Sequence, residues 1–284
     1  MKEFITILLT TFKRYDTTLP ICLLSLANQS RKPDRIVLID DNEQKRFYES
    51  TELKNIISFL KIKGIQFDYY HGQSKGATHA LQLGLEKISS GWVLKIDDDN
   101  SLEFDVIEIF EKNISHGVGA IGGLIFDKTI RQDIEDNLYP KCIDGYYNKI
   151  ENIFSEFNIQ LIQNQSVETK KVEHIYSNYF FKRDLVDSYP LDLSPSCHRE
   201  DTIITHTIFR KGYDLLILPK AKIYHLQTHK SSGDGIWDNT MNKNELIFIE
   251  KMKEWNVIPQ KVEIIENKGQ LYAKKVDGLF SVLT

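Results

Sequence analysis

Five carboxylates at the ends of two apolar runs are the side chains of this protein best disposed to do chemistry. The stretch Trp92-Val-Leu-Lys-Ile-Asp97-Asp98-Asp99-Asn100 passes from hydrophobic residues straight into three acids, and Arg35-Ile-Val-Leu-Ile-Asp40-Asp41 passes into two. Apolar runs bounded by turn residues read as strands buried on both faces of a parallel sheet. Asp is a poor strand residue and adjacent like charges repel. The triad becomes favourable where a hard divalent cation sits, because Mg²⁺ and Mn²⁺ prefer carboxylate oxygen. Side chains i and i+2 of an extended segment point the same way, so Asp97 and Asp99 are expected to share one target. Ligands of open α/β sheets lie at the carboxyl ends of strands, which is where these acids fall.

Two blander patterns compete. A solvated acidic turn needs no ligand at all. A calcium loop counted from Asp97 puts Asp99 at position three, Ser101 at five and Glu108 at twelve. It lacks the glycine required at position six, which is Leu102, and a strand rather than a helix precedes it. The metal-assisted enzyme is the stronger reading.

These acids need a scaffold that brings strand ends to one edge. Phe4 to Leu9 reads as a strand, followed by the polar loop Thr10 to Asp16. Thr18 is placed to cap a helix with Pro20 in its first turn, running to Asn28. After the strand Arg35 to Ile39 come a helix over Tyr48 to Lys61, a strand over Ile65 to Tyr70, the loop Gly72 to Gly76, and a helix over Ala77 to Ile88. Such alternation predicts a right-handed, mostly parallel α/β sheet. Further on, the pattern predicts a helix over Asp105 to Asn113 and strands over Val118 to Phe126 and Val172 to Phe181. It then gives a helix from Glu200 to Lys211 closed by Gly212, and two short strands either side of Pro219. A flexible loop over Ser231 to Gly235, a helix over Asn239 to Trp255 and a hairpin over Val262 to Val276 complete the chain.

Composition narrows the function. At 284 residues, 41% hydrophobic and 27% charged, the chain is ordinary for a soluble globular protein with a sizeable core. A net charge of −4 gives no general attraction to nucleic acid or anionic membrane. Three cysteines, Cys22, Cys142 and Cys197, are too few and scattered for a disulfide framework or zinc cluster. No apolar stretch approaches the ~20 residues of a membrane span, and the N-terminus opens on a strand rather than a signal peptide. The expectation is a cytoplasmic protein, with the inner face of the membrane as an alternative place of work through a partner.

Taken in order, the motifs resemble the inverting, family 2 (GT-A fold) glycosyltransferases. Those enzymes open with a strand and a Thr-x-Tyr-like loop, matched here by Phe4-Ile-Thr-Ile-Leu-Leu-Thr10-Thr11-Phe12-Lys13-Arg14. A helix ending near Gln-Ser/Thr-x-x-Pro then leads to a strand into Asp-Asp, matched by Gln29-Ser30 to Pro33 and then Asp40-Asp41. The Asp-x-Asp motif follows at Asp97 and Asp99, with Asp105 where the next helix begins. Glu200-Asp201, Gly212-Tyr213, Pro219 and His225 complete a match from about residue 4 to 226. Each motif alone is weak; their order and spacing are more specific.

The resemblance implies a GT-A nucleotide-binding sandwich, a central mostly parallel sheet flanked by helices, with a C-terminal helix and hairpin appended. It implies a catalytic domain over 1–235, with a nucleotide-binding half about 1–105 and an acceptor-binding half about 106–235, and an extension over 236–284 packed on the same domain. The implied partners are a nucleotide-sugar donor and a glycan, lipid-linked or other hydroxyl acceptor, and the implied cofactor is Mn²⁺ or Mg²⁺. Phe12 would stack on the nucleotide base, and Thr10 and Asp41 would hydrogen-bond its edge. Thr11, Arg14, Lys75, Asp97 and Asp98 would complete nucleotide binding. Asp99 would be the direct metal ligand, with Asp97 and His225 contributing and His229 competing with His225. Asp201 would be the general base and Glu200 its neighbour orienting acceptor or loop. The loop Thr228 to Trp237 would close over the phosphates, and Tyr139, Tyr146, Tyr147 and Trp237 suit sugar stacking.

There are departures and rivals. Many relatives carry an Arg for the diphosphate after the third strand where this chain has Leu81, leaving Lys75 or His79 to supply the charge. An Arg often found in the helix after Glu-Asp is Thr207 here, with Arg210 nearby. A sugar nucleotidyltransferase would need a glycine-rich loop after the first strand, and Thr10 to Arg14 contains no glycine. A nicotinamide oxidoreductase would need Gly-x-Gly-x-x-Gly there. A non-catalytic sugar- or nucleotide-binding module is the other alternative, against which stands the presence of Asp201 beside the Asp97/Asp99 pair.

Overall fold

Three strands buried on both faces and one more-exposed edge strand build the front half of the molecule. The computed structural model describes residues 2–126, 169–193, 195, 197–226, 234–258, 260–267 and 270–274. Strands β1 (Ile5–Thr11), β2 (Arg35–Asp40), β3 (Gln66–His71) and β4 (Trp92–Asp97) run parallel in the order β3-β2-β1-β4. The intervening helices are α1 (Thr18–Ala27), α2 (Thr51–Ile62) and α3 (Ala77–Glu86). Side chains alternate across the sheet, as strand pleating requires. Ile5, Ile7 and Leu9 enter an apolar layer with Leu19, Leu23 and Leu60, whereas Leu8 enters the opposite layer with Ala80, Leu81 and Leu85.

Register carries the functional consequence. Thr11 lies opposite Asp40, and Thr10 lies opposite Asp97. The tips of β2 and β4 therefore flank the tip of β1 at one edge of the sheet.

Beyond β4 the sheet is mixed rather than mostly parallel. Strand β8 (Tyr179–Lys182) runs antiparallel between β4 and β6 (Val118–Phe126). Next to β6 runs β9 (Asp214–His225), parallel to it, and β9 also receives β5 (Asn100–Leu102) and β7 (Lys170–Val172), both antiparallel. A parallel neighbour needs a crossover, and the strand expected over Val172 to Phe181 instead breaks into β7 and β8 at Ser177, whose φ is +64°. The strands expected either side of Pro219 are one strand, because Gly123 pairs with Leu218 and Leu124 with Lys222, and the proline sits in the resulting bulge.

Helix α4 (Val106–Lys112) covers the first apolar layer through Val106, Ile107 and Phe110. Helix α5 (Glu200–Arg210) covers the second through Ile204 and Ile208, and ends before Gly212, whose φ is +88°. Helix α6 (Asp234–Glu254) starts earlier than expected, and the hairpin β10 (Glu263–Asn267) and β11 (Gln270–Lys274) forms where the sequence places it. At α1 the residue before the first turn is Thr17, and the expected cap, Thr18, has its hydroxyl buried without a hydrogen bond. No helix among the described residues is long and apolar enough to cross a membrane.

The turn into β4 depends on glycine. Gly91 has a φ of +89°, and a Cβ there would lie 2.5 Å from the Phe4 carbonyl oxygen, to which Trp92 N donates at 2.9 Å. The Gly91→Ala substitution is expected to cost on the order of 1–3 kcal/mol through backbone strain. Urea unfolding checks it: an unchanged midpoint would show that the turn tolerates a side chain.

Candidate active site

At the β2 tip the two acids have different surroundings. Asp40 is fully buried and accepts hydrogen bonds from the hydroxyls of Tyr15 and of Tyr69 (2.6 Å) and from Asn42 Nδ2 (2.7 Å). It is a structural acceptor that ties the loop after β1 to β3. Asp41 Oδ2 instead accepts the main-chain N–H of Gly76 at 2.8 Å, with the amides of Ser74 and Lys75 alongside. Its Oδ1 is buried with no hydrogen-bond partner. Burial raises the Asp41 carboxyl despite those amides. Gly72 packs against it so closely that a Cβ would lie 2.6 Å from Oδ1. A buried acceptor oxygen is thus left without a partner, while Phe12 is 49% exposed past the end of β1.

Strand β4 ends at Asp97, so the alternation that would aim Asp97 and Asp99 together does not extend to Asp99. Asp98 and Asp99 form a turn into β5. Asp98 turns back to β1, accepting from Thr11 Oγ1 at 2.7 Å and from Phe12 N at 3.3 Å. Burial pushes its carboxyl up to about 7, with Asp99 and Asp97 adding to the effect and Arg14 and Thr11 opposing it. Asp99 receives Arg14 Nη1 at 2.5 Å and faces His225 Nε2 at 3.2 Å. Burial raises the Asp99 carboxyl, but His225 and Arg14 outweigh it and hold the group below the usual range. Asp97 turns the other way, to Lys95 Nζ at 2.8 Å and Ser177 Oγ at 3.4 Å.

The second acidic pair reaches the same place from α5. Ser177 donates its main-chain N–H to Asp201 Oδ2 at 2.5 Å, and Thr202 N donates to Oδ1 at 2.7 Å. Glu200 is 1% exposed, paired with Lys95 Nζ at 3.0 Å and accepting from the Tyr179 hydroxyl at 2.8 Å. Burial pushes the Glu200 carboxyl up to about 7, partly offset by Lys95. Asp97, Ser177, Glu200 and Asp201 line one cleft with Cys197 and Arg199. The structure thus joins the β4 tip, the segment before β8 and the start of α5, elements separated by about 80 and 100 residues in sequence.

Lys95, Ser177 and Tyr179 escaped the sequence reading. Lys95 carried a signal, a cation inside an otherwise apolar strand; Ser177 carried none. The stretch 228–233 of the loop expected over the phosphates, His229, Tyr139, Tyr146 and Tyr147 lie outside the described residues, and Trp237 falls early in α6. Leu81, which stands where the family resemblance led an Arg to be expected, is 1% exposed and belongs to the apolar layer.

Asp99 Oδ2, which also carries Arg14 Nη1 at 2.5 Å, and His225 Nε2 set a hard oxygen and an imidazole nitrogen 3.2 Å apart. Two donors each ~2.1 Å from one ion at a right angle stand about 3 Å apart, so this pair fits two adjacent ligand positions of Mn²⁺ or Mg²⁺. Among the described residues no group of three or more His, Cys, Asp or Glu side chains gathers as a cage. Such an ion would draw its remaining ligands from phosphate and water, as Mg²⁺ commonly does.

No curated protein sequence matches this chain. The model of the glycosyl transferase family 2 matches residues 6–188, well over half of the sequence. The chain belongs to that family. Solved structures support the fold at low identity. GalNAc-T7 with UDP, GalNAc and Mn²⁺ aligns with a TM-score of 0.55 and 14% identity over 78% of this chain and 44% of its own. The mannosyltransferase PcManGT from Pyrobaculum calidifontis, in complex with GDP-Man and Mn²⁺, aligns with a TM-score of 0.59 and 14% identity over 89% of this chain and 65% of its own. S. aureus TarS 1-349 in complex with UDP-GlcNAc gives 0.52 and 13% over 87% and 66%. The chain thus spans less than two thirds of each of these structures. The curled α/β sheet is the GT-A fold expected from the sequence. Asp201 and His225 lie beyond the segment that the family model matches.

Glu200 makes a pH dependence testable. Its carboxyl stands near 7 in the fold against an ordinary 4.5, so the folded state holds a proton that the unfolded chain releases across that interval. Its contribution to stability therefore falls as pH rises from 4.5 to 7 and is constant on either side. Relative to a Glu200→Gln variant, the parent should lose stability through this window in urea unfolding. A difference that stays constant with pH would place the carboxyl at its ordinary value.

Proposed function

We propose that this protein is a metal-dependent inverting glycosyltransferase that moves a sugar from a nucleotide-sugar donor, a UDP-sugar in the first instance, to a hydroxyl acceptor. The observation that carries this reading is the meeting of Asp201 with Asp97 around Ser177, beside the Asp99–His225 pair. Asp201 lines the cleft where the acceptor would stand.

In this reading the unpartnered Asp41 Oδ1 accepts a base N–H, while Phe12 offers its exposed face to the ring. Thr10 and Thr11 line the approach, and Arg14 and Lys75 supply positive charge for the diphosphate. Asp99 and His225 would hold the cation, which when bound would neutralise charge on the leaving diphosphate. Asp97, held by Lys95, contacts the ribose or the ion's water shell. Asp201 takes the acceptor proton as its oxygen bonds to the anomeric carbon and the carbon–phosphate oxygen bond breaks. Glu200, anchored by Lys95 and Tyr179, keeps the start of α5 in place. Attack on the face opposite the leaving group inverts the anomeric centre. Synthesis of a cell-surface glycan in the cytoplasm or at the inner membrane face, on a glycan or lipid-linked acceptor, is the context that suits this chemistry.

Thermal shifts with a panel of nucleotide sugars, with and without Mn²⁺, test the donor. Asp99→Asn should abolish the Mn²⁺-dependent part of UDP binding without unfolding the protein, and unchanged affinity would remove Asp99 from the site. Asp201→Asn should keep UDP binding but lower kcat for UDP-sugar turnover on the order of 10²-fold or more. Normal turnover in that variant would assign the base elsewhere.

A further inference from the structure

The residue that leads into α5 has an unusual backbone. Arg199 sits in the left-handed region with a φ of +75°, is 7% exposed, and its carbonyl accepts the first helical hydrogen bond from Ile203 N at 3.0 Å. A non-glycine residue in that region costs on the order of 1–3 kcal/mol and persists where its surroundings over-determine it. The surroundings come from α6. Glu245, 4% exposed, receives Arg199 Nε at 2.8 Å on Oε1 and Arg199 Nη2 at 3.2 Å on Oε2. Its Oε1 also faces His198 Nε2 at 2.5 Å. One turn along, Phe248 places its ring 4.7 Å beneath the Arg199 guanidinium, and Asn244 Nδ2 donates to the carbonyls of Leu193 (3.1 Å) and His198 (3.2 Å). Asn244, Glu245, Phe248 and Met252 share one helix face, and Phe248 and Met252 pack with Leu193 and Ile203 in a small core of their own.

We infer that Glu245 is a positioning residue for the reaction: through Arg199 and His198 it fixes the strained entry to α5 and so aims Asp201 into the cleft. A buried carboxylate with three charge-assisted contacts is a strong restraint. It acts on the two residues immediately before Glu200 and Asp201, and it comes from a helix outside the segment that the family model matches. This inference rests on Asp201 being the base.

Two readouts test it on the full chain. Hydrogen exchange reports geometry without turnover, because Ser177 N–H is bonded to the Asp201 carboxylate and Glu200 N–H to the Cys197 carbonyl. Glu245→Gln, close to isosteric, should speed exchange in the peptides holding Ser177 and 197–203 by about tenfold or more while β1 to β4 stay as protected as in the parent. Unchanged exchange there would overturn the inference. In Mn²⁺-dependent hydrolysis of UDP-glucose, UDP-galactose or UDP-GlcNAc, Glu245→Gln should lower kcat about tenfold with KM unchanged. Glu245→Asp, which keeps the charge, should fall between variant and parent. Loss of kcat together with raised KM and faster exchange throughout would reduce Glu245 to a general stabilising role and overturn the inference, as would an unchanged kcat. If the parent hydrolyses no UDP-sugar, the proposed function falls, and the exchange data still decide whether Glu245 holds Asp201.

Discussion

A single buried ammonium underlies the arrangement. Lys95 Nζ lies 2.8 Å from Asp97, 3.0 Å from Glu200 and 3.2 Å from the Ser177 carbonyl, with the residue 2% exposed. Burial disfavours its charge, but the two carboxylates outweigh that and hold the amine protonated well above its ordinary range. Without it Glu200 would lose its buried counter-ion, and removing one partner of a buried pair typically costs about 3–5 kcal/mol. The same cation joins three segments: β4 that carries it, the turn at Ser177, and the start of α5. The acids at the β4 tip and at the start of α5 are thereby held in one electrostatic frame, with Tyr179 behind Glu200 completing its hydrogen bonding.

Much of this was legible in the sequence because it is local. The alternation of strands and helices through β4, the acids at the tips of β2 and β4, and the glycine closing α5 each follow from a short window of residues. Parallel order then brings Thr10, Thr11, Asp40 and Asp97 to one edge without further information. The family resemblance added Glu200, Asp201 and His225, which no periodicity could have tied to that edge.

What stayed hidden depends on pairing between distant segments. Tyr179-Phe-Phe-Lys182 reads as a strand, but nothing in it says that it will insert antiparallel between β4 and β6. That insertion brings Ser177 to the site. The expectation that Asp97 and Asp99 share a target assumed an extended chain, whereas β4 ends at Asp97 and the following turn sends Asp99 towards Arg14 and His225. The Leu81 departure also has a physical reading: that position lies in the apolar layer under the sheet, where a guanidinium would be buried.

The bulge at Pro219 has a consequence for His225. Strand β9 carries three more residues than its partner between the pairs Gly123–Leu218 and Leu124–Lys222, and after them His225 lands opposite Asn100. Because a strand reverses its faces with every residue, inserting one residue there while the three-residue bulge is kept would present Tyr224 at the acidic turn and rotate the imidazole away. The residue count through an outwardly unremarkable kink therefore sets which side chain meets Asp99, so relatives with a shorter or longer count need another residue, or none, at this place.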